Sequence, residues 1–191
     1  MKQKQLAPTP GELLSPRLTW HDLVLPDALR MQLQSAGARL RAQQYRKTAR
    51  LYGPNPWKGS QFLFHGPVEG AKLLAAQLMA SDLGLDLWLI PSPVLLGRYI
   101  GETEKNINRV FHRAARSGWV LFFDEADALF GRRTRVQSGN DHYASIEISH
   151  LLQAAEAYRG PVVLSMLAKP HLGGRDQRRF EGLIEFQVSD S

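Results

Sequence analysis

Gln61-Phe62-Leu63-Phe64-His65-Gly66-Pro67-Val68-Glu69-Gly70-Ala71-Lys72-Leu73 is the stretch on which the fold turns. A short apolar run opens it, a glycine ends that run, and helical periodicity sets in at Lys72. Residues 66–73 stand where a G-x-x-x-x-G-K-[ST] phosphate loop stands, between a strand and a helix. Such a loop aims backbone N–H groups and a helix N-terminus at an anion; its lysine bridges the outer phosphates and its hydroxyl ligates magnesium. Here Lys72 supplies the ammonium, with Gly66, Pro67 and Gly70 as the backbone around it. The spelling departs from the pattern in three ways. Leu73 offers no hydroxyl, Ala71 adds a methyl group where the pattern has glycine, and Glu69 adds negative charge beside the anion. Taken alone, the segment is weak evidence, because a strand, a glycine and a helix with a nearby lysine also make an ordinary structural turn.

Working outward, short apolar runs recur at 61–65, 87–90, 119–123, 162–165 and 183–186, separated by helical periodicity at 72–82, 102–116 and 143–158. This alternation predicts an α/β fold, a three-layer sandwich with a five-stranded, mainly parallel sheet. In such sheets ligands sit beyond the carboxyl ends of the strands, so chemistry is sought just after each run. A further helix is expected over 28–51, capped by Asp27 and ended by Gly53-Pro54-Asn55-Pro56. Residues 1–17, with Pro8, Pro10, Gly11 and Pro16, read as a loose leader, residues 18–188 as one core domain and 189–191 as a tail.

The strongest site signal is Val120-Leu121-Phe122-Phe123-Asp124-Glu125-Ala126-Asp127, an apolar strand that ends in carboxylates. Beside a phosphate loop, Asp124 would hold magnesium through water and Glu125 would activate the water that attacks the terminal phosphate. A structural explanation would need a buried basic partner for each carboxylate. The letters Asp-Glu-Ala-Asp also occur in a helicase family, but RNA-contacting motifs are not found elsewhere in the chain.

Between these segments runs Gly97-Arg98-Tyr99-Ile100-Gly101-Glu102-Thr103-Glu104-Lys105-Asn106-Ile107. Together the three segments resemble the AAA family of P-loop ATPases, near its microtubule-severing and endosomal-sorting members. Closer still is a resemblance to the AAA proteins encoded with phage-tail-like contractile injection particles. It spans residues 18–186 and includes Thr19-Trp20-His21-Asp22-Leu23-Val24-Leu25-Pro26, Leu83-Gly84-Leu85-Asp86-Leu87 and residues 122–133. The resemblance implies ATP and Mg2+ as cofactors, with Asp22 among the nucleotide-binding residues. It also implies a hexameric ring, or co-assembly with an intact AAA subunit, in which Tyr99, Ile100 and Gly101 grip a polypeptide in a central pore. An aromatic side chain on such a loop gives sequence-tolerant contact at low entropic cost; an exposed tyrosine at a helix start is the plainer alternative. Arg132, Arg133 and Arg135 match a second pore-facing loop, or a solvated basic loop. Arg178 and Arg179, before Phe180, resemble the arginine-finger segment that reaches a neighbour's γ-phosphate. Leu167, eleven positions before Arg178, falls where the family has a polar sensor. Gly173-Gly174-Arg175-Asp176 departs from the family's acidic, apolar leader to that segment. The chain ends at Ser191, just after the fifth expected strand, so the family's helical lid is expected to be missing.

Bulk properties narrow the classes further. With 43% hydrophobic and 22% charged residues the chain is ordinary globular protein, and the absence of cysteine removes thiol chemistry and disulfides. No apolar run is long enough for a membrane helix and residues 1–10 hold no signal core, so a cytoplasmic location is expected. The net charge of +6 is concentrated in one amphipathic stretch with Arg39, Arg41, Arg46, Lys47 and Arg50. It reads as a solvated helix face before it reads as a nucleic-acid surface. Two functions stand side by side: a weak, oligomeric ATP-hydrolysing motor subunit acting on a polypeptide or particle assembly, and an inactive AAA-like assembly module. Slow or absent hydrolysis by the chain alone is expected.

Overall fold

The computed structural model describes residues 10–48, 60–130, 141–170, 172 and 174–187, with the side chains of 44–48, 141–146 and 175 left aside. Among these described residues six strands form one sheet: β1 (Glu12–Leu14), β2 (Gln61–His65), β3 (Leu87–Pro91), β4 (Val120–Asp124), β5 (Val162–Met166) and β6 (Gly182–Glu185). Their order is β1-β3-β4-β5-β2-β6. Every pairing is parallel except β1 with β3. The helices are α1 (Asp27–Thr48), α2 (Glu69–Leu83), α3 (Glu102–Ala114), α4 (Asp141–Ala157) and the single turn α5 (Gly174–Gln177). The expected three-layer α/β sandwich is present.

Burial on both faces explains why the strands read as continuous apolar runs rather than as alternating ones. In β4, Leu121 and Phe123 point into the layer shared with α3 and α4, while Val120 and Phe122 point into the layer shared with α1 and α2. Helix α1 joins the second layer through Leu29, Leu33, Ala36 and Leu40, an apolar stripe at helical spacing. Its basic face is partly tied down, since Arg41 pairs with Asp82 at 2.9 Å. Asp82 also accepts a hydrogen bond from Trp20 Nε1 at 3.0 Å, and Ser81 Oγ accepts one from the Leu18 amide at 3.0 Å, so residues 18–20 are fixed to the end of α2.

Two expectations are corrected. The sheet has six strands rather than five, because residues 12–14 of the supposed leader form an antiparallel edge strand with register Glu12↔Leu89, Leu13↔Trp88 and Leu14↔Leu87. Three residues after a Pro-Gly pair are too few to show a period, and Leu13 remains 47% exposed, so composition did not mark it. Helix α2 starts at Glu69, three residues before the expected Lys72. The end of the expected helix over 28–51 and the turn at 53–56 lie outside the described residues. Among the described residues no helix is long and apolar enough to cross a membrane.

Candidate functional site

The carboxyl ends of β2, β5 and β4 lie side by side, with His65 opposite Met166 and Phe123 opposite Leu164. After β2 the chain turns at Gly66, whose φ of +128° is open to glycine and to few other residues. A Cβ there would run into the backbone carbonyl of Phe186, whose carbon would lie 2.8 Å away. Lys72, in the first turns of α2, reaches back under this turn. Its Nζ donates to Gly66 O at 2.8 Å and to Met166 O at 2.7 Å, and the side chain is buried. Burial lowers the Lys72 pKa from its ordinary value, against the opposing pull of Glu69, Asp124 and Asp127. Asp127 meets the next peptide along, accepting the Leu167 amide at 2.8 Å. The structure therefore gathers Lys72, Asp124 and Asp127 around the end of β5.

Glu125 follows β4 in the left-handed region, φ 49° and ψ 42°, the only non-glycine residue with positive φ among those described. Such strain persists only where the surroundings impose it. Here the 3-10 turn Ala126–Ala128 begins directly afterwards, and Ala126 and Leu129 are fully buried. The turn leaves the Glu125 side chain exposed. His65, at the end of β2, is buried, and burial lowers its pKa; Glu185 opposes that shift while Lys169 and Lys72 add to it.

A triphosphate with magnesium fits these residues poorly at three points. None of residues 67–73 has a positive φ, so the backbone does not form the curled array of N–H groups that surrounds a phosphate. Lys72 directs two of its donors to carbonyl groups. Leu73 packs against the apolar layer of α1 and α2 and offers magnesium no oxygen. Asp124 and Glu125 remain as carboxylates that a metal-held water could meet.

The other expected positions fall outside this cluster. Tyr99 and Ile100 are 76% and 86% exposed, on a loop tied down at both ends. Glu102 accepts the amides of Arg98 at 2.9 Å and Tyr99 at 3.2 Å, Thr103 Oγ1 accepts the Gly97 amide at 3.0 Å, and Gly101 turns at φ 80°. Arg178 is exposed just after α5. Arg179 turns inward instead, 3.4 Å from Glu156 and 3.5 Å from Asp176. The Asp22 carboxylate accepts the amide and hydroxyl of Thr19 at 2.6 and 2.9 Å, which closes a turn and lowers its pKa. Gly70 sits in the first turn of α2 with open space around it, and Pro67 is exposed. Leu167 is 58% exposed, held through its backbone only. Arg132, Arg133 and Arg135 lie outside the described residues, as do Gly173 and the Arg175 side chain. Sequence reasoning missed the bracing roles of Asp127, on the Leu167 amide, and of Glu102, on the Arg98 and Tyr99 amides of the preceding loop. The available signal was an acidic residue three places past Asp124 and another at the start of a helix.

Known proteins bear on this geometry. Peroxisomal ATPase PEX6 of Kluyveromyces lactis is 33% identical over 185 residues, covering 92% of this chain and 18% of that protein. Peroxisomal ATPase PEX1 of Dictyostelium discoideum is 30% identical over 163 residues, covering 84% of this chain and 13% of its own length. Nuclear valosin-containing protein-like of Mus musculus is 34% identical over 131 residues, covering 68% and 15%. The chain thus spans less than a fifth of the length of these relatives. The family model described as ATPase family associated with various cellular activities (AAA) matches residues 62–186, from the second residue of β2 to just past β6, and the chain belongs to that family.

Proposed function

We propose that this chain is a ring-forming AAA subunit that engages a polypeptide alongside neighbouring AAA subunits and hydrolyses ATP poorly, if at all, at its own site. The observation that carries the reading is the contrast between two regions. Tyr99 and Ile100 stand exposed on a braced loop, and Arg178 is exposed beyond α5, whereas Lys72 is buried against two carbonyl groups. Surfaces suited to neighbours and substrate are presented; the chain's own phosphate-binding group is turned inward. Arg178 rather than Arg179 is the guanidinium available to a neighbour's phosphate, since Arg179 is paired with Glu156 and Asp176. A hexamer of identical chains, or mixed assembly with an intact AAA subunit, fits this division. We further propose, on the resemblance read from residues 18–186 alone, that a contractile injection particle in the cytoplasm is the assembly on which the subunit acts.

A second reading, a working motor subunit, draws on Asp124 and Glu125 lying at the sheet edge reached by Lys72. It requires Mg2+ held through Asp124 and water activated by Glu125. Multi-angle light scattering over a range of protein concentrations tests the ring. A mass of several protomers is expected. A monomer at every concentration sinks the ring of identical chains and leaves mixed assembly with an intact AAA subunit as the one form of the ring reading.

A further inference from the structure

We propose that the phosphate loop of this chain is closed upon itself: a helical turn over Glu69, Gly70 and Ala71 replaces the anion-binding array, Lys72 ties the ends of β2 and β5 together, and a nucleoside triphosphate is not taken up. This deepens the reading above by fixing the state of the same site, and the two can fail separately.

The first support is the backbone. An array of N–H groups that wraps an anion needs residues of alternating hand, or a turn that mimics them. Residues 67–73 contain none with positive φ, and α2 already begins at Glu69. The Lys72 amide donates to Val68 O at 3.3 Å, so it is engaged in the helix rather than free for a ligand. The sequence explains this. Glu69 and Ala71 carry Cβ atoms that disfavour the left-handed region, and both support a helix start, the acid by complementing the helix dipole and the alanine by propensity.

The second support is the lysine. Lys72 is 1% exposed, and its ammonium bonds the carbonyl of the turning residue Gly66 and the carbonyl of the last residue of β5. To meet a phosphate it would have to abandon two acceptors in an apolar surround. Glu69, Asp124 and Asp127 already pull on its charge without outweighing the effect of burial, so an incoming polyanion would face three carboxylates. The third support is Leu73, which joins the apolar layer with α1 in place of a side chain that would hold magnesium. The lysine of this loop thereby acts as an internal cross-link of the sheet edge.

Isothermal titration of the purified chain with MgATP tests this, beside the variant Glu69→Gly/Ala71→Gly/Leu73→Thr, which restores glycine freedom and the hydroxyl. The parent is expected to show no saturable heat up to about 1 mM nucleotide, and the triple variant to bind at least about tenfold more tightly. Saturation of the parent in the micromolar range, or a triple variant no better than the parent, overturns the closed loop. Micromolar binding would leave the ring reading standing, just as a monomeric mass would leave the closed loop standing. A second arm measures thermal midpoints without nucleotide: Lys72→Met is expected to fall by about 4 °C or more, because two carbonyl groups lose their donor. An unchanged midpoint overturns the cross-link. The parent titration needs no Lys72 variant, so a Lys72→Met chain that misfolds leaves the proposal exposed to that result.

Discussion

Replacing Gly66 by alanine puts a methyl group into the turn that joins β2 to α2, and the structure sets the size of the consequence. The residue sits at φ +128°, where a side chain is strained whatever the space around it, and its Cβ would press on the Phe186 carbonyl group. Backbone strain of this kind costs about 1–3 kcal/mol. Relief by moving Phe186 would break the bond from the Phe186 amide to His65 O, 2.7 Å long, at about 1 kcal/mol more. A loss of roughly 3 kcal/mol in a chain of this size lowers the thermal midpoint by about 6–12 °C. Gly70→Ala is the internal control. Gly70 lies in the first turn of α2 without positive φ, and nothing stands within 4 Å of the point its methyl group would reach, so alanine is expected to leave the midpoint unchanged or raise it by a few degrees. Circular dichroism melts of parent and both variants decide. A Gly66→Ala midpoint within about 1 °C of the parent refutes the close approach to Phe186. A Gly70→Ala midpoint several degrees below the parent refutes the helical turn, since it would mean that Gly70 needs a conformation only glycine adopts.

Other expectations follow from single contacts. Asp127→Ala removes the acceptor of the exposed Leu167 amide and is expected to lower stability by about 0.5–1.5 kcal/mol in urea titration. Tyr99→Ala and Ile100→Ala, at highly exposed positions, should change stability by less than about 0.5 kcal/mol while weakening crosslinking to an unfolded polypeptide; equal crosslinking in parent and variants would remove the gripping role. Burial holds the His65 pKa below its ordinary 6.5, so the unfolded chain takes up the proton first as pH falls. Stability is therefore expected to decline below pH 6.5, and His65→Gln should flatten the urea midpoint measured between about pH 7 and pH 5.

The parallel sheet was legible because its strands are buried on both faces. Residues 62–64, between Gln61 and His65, and residues 87–90 are continuous apolar runs, and the expected strands 61–65 and 87–90 match β2 and β3 to within one residue. The end of β4 was legible for a different reason, since Asp124 and Glu125 directly follow four apolar residues. The edge strand β1 was not. A three-residue strand takes its stability from backbone pairing with β3, and backbone pairing leaves no pattern in side chains. The start of α2 was misplaced because the phosphate-loop pattern suggested an irregular segment up to Lys72, while Glu69 and Ala71 favour the helix. The sequence suggested paired roles for Arg178 and Arg179. Their separation into an exposed and an inward-facing side chain depends on Glu156, on α4 and distant in sequence, and so could not be read locally.

Phosphate release from MgATP by the purified chain, compared with Glu125→Gln, decides whether the buried Lys72 can still serve hydrolysis. The two proteins are expected to release phosphate at the same background rate, because Lys72 is engaged by Gly66 and Met166 and Leu73 supplies no metal ligand. Turnover on the order of one per second in the parent that disappears in Glu125→Gln would contradict that expectation.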